Sequence, residues 1–175
     1  MEWIVVERDS AEPIDIDAYF EAGRQGEGCF RLYRVRHRAS VLADDGRRMV
    51  CAFQAPDAEA VRSVARTLGR PAAVAWPASQ HPVPGREPRT GDRIVLVERD
   101  LPAAPPFEAL QSIEDAGAAC LAARRVEFLC SWFARSRRRM LCMYRAPDAE
   151  SVRIAQRTIG MPFTRAWAAT WHAQD

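Results

Sequence analysis

A chain of 175 residues with 48% hydrophobic content and a formal charge of +2 has the composition of a globular protein, not of a strongly basic nucleic-acid binder. All 25 basic residues are arginine, but 23 acidic residues offset them, so the arginine excess reads as coding bias and not as a phosphate-gripping surface. No stretch approaches the roughly 18 apolar residues of a membrane span, and the N-terminus lacks the pattern of a signal peptide, which makes the cytoplasm the expected compartment.

In chain order, Trp3 to Glu7 reads as a buried strand, β-branched and nearly all apolar. Ile14 to Cys29 reads as a helix weakened by Gly23, Gly26 and Gly28. Two strands follow, joined at the turn Asp44-Asp45-Gly46. A second helix opens with Pro56 in its first turn and ends at Gly69, with Pro71 just beyond. A short last strand carries Trp76. The stretch from Pro77 to Asp92, with four prolines and two glycines, reads as an exposed linker.

The same order then returns 91 positions later. A strand spans Ile94 to Glu98, and Phe107, Leu110, Ile113, Gly117, Cys120 and Leu121 recur at helical spacing after Pro105-Pro106. A hairpin tip falls at Arg135-Ser136-Arg137, a helix runs from Pro147 to Gly160, and a strand carries Trp167. Residues 4–79 and 95–170 align without a gap and share about 29 identities in 76 positions, the mark of an internal repeat. The expected organisation is therefore repeat one over 1–78, a linker over 79–92 and repeat two over 93–175. Each repeat reads as βαββαβ, the ferredoxin-like motif. The expected fold class is therefore α+β, and since units this small bury limited core alone, the two copies are expected to pack on each other. Two ferredoxin-like repeats would pack sheet to sheet as a single-chain dimeric α/β barrel around a cavity.

The run from Asp44 to Arg62 (DDGRRMVCAFQAPDAEAVR), preceded by Val6-Glu7-Arg8-Asp9, resembles a small bacterial domain of unknown function typified by a Streptomyces nickel-binding protein. Both copies match its E-R-D first strand, its Cys-to-Ala-Pro-Asp junction and its G-x-P ending, so the resemblance covers nearly all of the chain outside the linker. It implies a ferredoxin-like domain that dimerises and binds a transition metal such as nickel. The family pattern places one His just before the hairpin-strand Ser and another on the second helix. Here Ala39 and Cys130 stand beside Ser40 and Ser131, and Val64 and Ala155 occupy the helix position. Any metal would have to be held by thiols in place of imidazoles.

Several residues could carry chemistry. Glu7 and Glu98 end apolar runs, and first and third strands are neighbours in this motif. Glu7 could lie across from Cys51, and Glu98 from Cys142, if the pleat puts them on one face. Cys51 and Cys142 are then the expected metal ligands; the plainer alternative is that each Glu pairs with Arg48 or Arg139 and each Cys is core. His37 alternates with Val35 and Ala39 and could face inward as a ligand or base. Ser40, Ser131, Cys130 and Trp132 complete the expected binding residues. The five cysteines include no CxxC, and Cys29 and Cys120 read as core. The arginine run 135–139 reads as a solvated turn, and no nucleotide, hydrolase or zinc motif is present.

These observations favour a non-catalytic binding protein holding a transition metal or small ligand between the repeats, with no nucleic-acid or membrane partner and room for a homodimer. A cofactor-free enzyme for oxidation or isomerisation is the alternative. Divergence at His37/Phe128, Val41/Trp132 and Ala39/Cys130 is the feature that separates a one-sided pocket from a symmetric structural pair.

Overall fold

The computed structural model describes residues 1–72 and 74–174, in two compact units. The first holds β1 (Glu2–Asp9), α1 (Ile16–Gln25), α2 (Glu27–Leu32), β2 (Arg36–Ala43), β3 (Arg48–Ala55) and α3 (Ala58–Thr67), with most of β4 (Val74–Pro82). The second holds β5 (Arg93–Asp100), α4 (Phe107–Ala116), α5 (Ala118–Ala123), β6 (Glu127–Ala134), β7 (Arg139–Arg145) and α6 (Ala149–Ile159), with most of β8 (Arg165–Ala173). From Ser79 to Pro88 the chain counts with the second unit, and from Thr170 onward with the first.

Within the first unit the strand order is β4-β1-β3-β2, and within the second β8-β5-β7-β6. This is the ferredoxin-like order, with β3 antiparallel to both β1 and β2. In each unit one sheet face carries the helices. Ile4, Val6, Met49, Cys51 and Phe53 pack there against Val61 and Val64 in the first unit. Val95, Val97, Met140, Cys142 and Tyr144 pack against Val152 and Ala155 in the second.

The expected first helix is broken in two in both units, at Gly26 and at Gly117. The glycines stand there because a neighbouring helix end leaves no room for a side chain. A Cβ on Gly26 would strike Leu68 Cδ2, and one on Gly117 would lie 2.8 Å from Ile159 Cβ. The break restarts the helical phase, which leaves Cys120 exposed and Cys29 half-buried instead of in the core. The second helices open two residues later than Pro56 and Pro147 imply. Asp57 and Asp148 cap them, accepting from Ala60 N at 2.8 Å and Ser151 N at 2.6 Å. The last strands are nine residues long, and β4 runs through Pro77 to Pro82, so the irregular connection is confined to 83–92. At Gly46 and Arg137 the hairpin turns carry φ of 70° and 59°.

Candidate functional site

Strand register decides which residues can meet. Cys51 lies across from Val6, and Glu7 across from Val50. Cys142 lies across from Val97, and Glu98 across from Leu141. Directly opposed residues share a face and neighbours along a strand do not, so each Glu and its Cys are on opposite faces of the sheet. The expected carboxylate–thiol pairing is therefore absent in both units: the cysteines face the helices, and the glutamates face away.

The glutamates explain the E-R-D motif. Glu7 accepts from Trp76 Nε1 at 2.8 Å and from Arg48 Nη2 at 3.5 Å, while Asp9 on the same face binds the other arm of Arg48. Glu98, 1% exposed, accepts from Trp167 Nε1 at 2.7 Å and from Arg139 and Arg165, both at 3.2 Å. Asp100 takes Arg139 Nη1 at 2.6 Å. The first and third residues of the motif thus clamp an arginine on the next strand. The middle arginine points to the helix side.

On that side of the first unit a chain of polar groups forms. His37 Nε2 lies 2.9 Å from Ser40 Oγ, Ser40 Oγ 3.1 Å from Cys51 Sγ, and Cys51 Sγ 3.6 Å from Tyr19 OH. Simple alternation would group His37 with Ala39. A β-bulge between them shifts the register, so His37 pairs with Phe53 while Ala39 pairs with Ala52, and His37 and Ser40 end on one face. The His37 ring stacks on Phe53 at 4.7 Å, and burial lowers its pKa to about 4. Burial also pushes the Cys51 thiol and the Tyr19 phenol up, so all three groups are neutral at pH 7.

His37 and Tyr19 line a cavity of about 560 Å³ between the sheet and the helices of this unit. Its floor is apolar, with Phe20, Phe30, Val35, Phe53 and Val61. Its wall is basic, with six arginines against one carboxylate, Glu27. Arg8, the middle residue of E-R-D, donates to Pro71 O at 3.0 Å. Arg70 donates to Tyr19 O at 2.9 Å and lies over the Tyr19 ring at 4.6 Å.

The same place in the second unit is filled by its own side chains. Arg99, the counterpart of Arg8, is fully buried and donates to Pro162 O at 2.6 Å, Gln156 Oε1 at 2.7 Å, Tyr144 OH at 2.9 Å and Cys142 Sγ at 3.4 Å. Tyr144 OH donates in turn to Glu114 Oε2 at 3.0 Å. Burial raises the Glu114 pKa, opposed by the charge of Arg99. Ser131 lies across from Cys142, but its buried hydroxyl has no partner because Phe128 stands where His37 does. Cys130 and Trp132 lie across from Met143 and Leu141, on the face away from the helices, and both are buried. Burial pushes the Cys130 thiol up to about 12.

Of the residues expected from sequence, the fold thus groups His37, Ser40 and Cys51; Cys142 joins Arg99, while Glu7, Glu98, Cys130 and Trp132 lie on the other faces. Arg8, Tyr19, Arg70 and Arg99 were not singled out. The signal for them lay in the repeat itself, where Gly23, Phe53 and Ala65 are traded for Glu114, Tyr144 and Gln156.

A family model for nickel responsive SCO4226-like proteins matches the chain twice, over residues 5–77 and 96–168. The chain belongs to the SCO4226-like family. Among curated proteins none matches. Among solved structures, this SCO4226-like chain is similar to a mutant chlorite dismutase from Candidatus Nitrospira defluvii, at TM-score 0.52 and 8% identity, covering 97% of this chain and 90% of that one. It is also similar to a heme-binding protein from Thermus thermophilus, at TM-score 0.50 and 9% identity over 97% and 91% of the two chains. A third likeness is to a putative chlorite dismutase, TA0507, at TM-score 0.50 and 8% identity over 98% and 94%. At such identities the likeness carries the fold alone, α+β of the dimeric α/β-barrel kind.

The described residues present no preformed site for a nickel ion. Among the described residues no group of three or more His, Cys, Asp or Glu is placed to hold a metal. Nickel takes thiolates, and the Cys51 and Cys142 thiols are buried and held protonated.

Proposed function

We propose that this SCO4226-like protein is a non-catalytic binding protein whose small-molecule ligand occupies the helix-side cavity of the first unit. The observation that carries this reading is the 560 Å³ cavity, whose counterpart in the second unit is filled by Arg99, Glu114, Tyr144 and Gln156. That volume, an apolar floor and a few convergent polar groups are what a ligand site requires. The neutral chain His37–Ser40–Cys51–Tyr19 supports binding over turnover. General acid–base catalysis works best with a pKa near the operating pH, and burial drives these groups away from it.

The test is fluorescence titration with N-phenyl-1-naphthylamine, a neutral apolar probe. Wild-type protein is expected to bind it, and Gly23→Phe, which places a ring in the open space before Gly23, is expected to abolish binding. Equal binding by the two proteins, or none by the wild type, overturns the reading.

Family membership favours a second reading, in which Cys51 and Cys142 hold a divalent ion such as nickel. It requires both thiols to ionise against burial. A Ni²⁺-induced rise in melting temperature, lost in the Cys51→Ala/Cys142→Ala protein, would establish it; no rise would eliminate it.

A further inference from the structure

We infer that the ligand of this cavity is a small organic carboxylate with an apolar body, its charge held by Arg8 and Arg70. The inference rests on the reading that the cavity is the ligand site and goes beyond it by naming the ligand's chemistry.

The two copies differ position by position around Arg8 and its counterpart Arg99. In the second unit the middle arginine of E-R-D is satisfied from within. The Gln156 carbonyl and the Tyr144 hydroxyl accept from Arg99, and Tyr144 in turn donates a hydrogen bond to the Glu114 carboxylate. In the first unit each of these acceptors is gone. Gly23 replaces Glu114, Phe53 replaces Tyr144 and Ala65 replaces Gln156. Tyr19 reaches Arg8 in their place but carries no charge, and no atom lies within 4 Å of where a Gly23 side chain would begin.

Arg8 keeps its bond to Pro71 O, but its Nε is buried without a partner. The first unit also adds a cation, with Arg70 where the second has Met161. Among the described residues neither Arg8 nor Arg70 has an ion pair. Of the other lining charges, Arg24 is already paired with Glu21 at 2.6 Å, and Glu27 is exposed at the rim. A half-buried guanidinium with no counter-charge is costly. A carboxylate entering the cavity would supply what Glu114 supplies in the other copy, and the planar guanidinium suits it. Phe20, Phe30 and Val61 would cover the rest of the molecule.

The test is displacement of bound N-phenyl-1-naphthylamine by phenylacetate and hexanoate, with phenylacetamide and hexanamide as neutral isosteres. The acids are expected to bind roughly 10- to 100-fold more tightly than the amides, the range that a charge-assisted hydrogen bond supports. Arg8→Gln should weaken acid binding by a similar factor while the neutral probe still binds. Gly23→Glu/Phe53→Tyr/Ala65→Gln, which rebuilds the second unit's network, should exclude acids and probe alike. Amides that match the acids, or acid affinity unchanged in Arg8→Gln, would overturn the carboxylate inference and leave the cavity reading intact. If Arg8→Gln does not fold, the acid–amide comparison on wild type decides alone. No probe binding by wild type would remove the cavity reading and this inference together.

Discussion

His37 shows how one side chain can be read two ways. A lone histidine beside a serine and a cysteine invites a catalytic reading, yet burial, helped by the charge of Arg8, lowers its pKa to about 4. Between its unfolded value near 6.5 and that folded value, the unfolded chain binds the extra proton. His37 therefore supports the fold above about pH 6.5, and that support is lost as the pH falls toward 4, at about 1.4 kcal/mol per pH unit. Urea unfolding at pH 7.5 and pH 5 should show this loss, and His37→Phe, which copies Phe128, should reduce it. A variant as acid-sensitive as wild type would refute the assignment. The two serines make a matched pair. Ser40→Ala removes a partner from both His37 and Cys51 and should cost about 1–2 kcal/mol, whereas Ser131→Ala removes a buried hydroxyl that has no partner and should be neutral or stabilising. Equal effects in denaturant melts would contradict that contrast.

At the scale of elements, the two helix breaks are set by neighbours. Gly117→Ala would press on the branched Cβ of Ile159, which has little freedom to yield, and should cost about 1–3 kcal/mol. Gly26→Ala would strike the tip of Leu68, a flexible side chain lining the cavity, and lie 3.3 Å from Ala22 O, and should cost less. Thermal melts of the two variants test the order, and Ile159→Ala should restore most of the loss in Gly117→Ala. The E-R-D strands follow the same logic. Glu98 is 1% exposed against 6% for Glu7 and also takes Arg165, whose counterpart beside Glu7 is the apolar Val74, so Glu98→Ala should destabilise more than Glu7→Ala. The reverse order in chemical denaturation would show that the clamp is not what these residues provide.

For the molecule as a whole, duplication has produced two units that use the same volume differently. One fills it with its own arginine, carboxylate, phenol and amide; the other leaves it open. Calorimetric titration with phenylacetate should therefore saturate at one molecule per chain. Two equivalent sites would contradict the asymmetry.

Much of this was legible before folding. The repeat, its 91-residue offset and the βαββαβ order follow from residue identity and hydrophobic periodicity, because both are local properties of the chain. The Ala-Pro-Asp helix starts and the glycine endings are equally local, which is why they could be located to within a residue or two. The site was not local. Which face Glu7, His37 and Cys51 occupy depends on inter-strand register and on one bulged residue in β2, and a shift of one position moves a side chain to the opposite face. The roles of Gly23, Phe53 and Ala65 were invisible as single residues, since a missing side chain has meaning only against the buried arginine that it leaves unanswered. Sequence by itself determined that the protein is one α+β module used twice. Only tertiary structure decided that the two copies are chemically unlike inside, because the space between sheet and helices is shared by residues far apart in the chain.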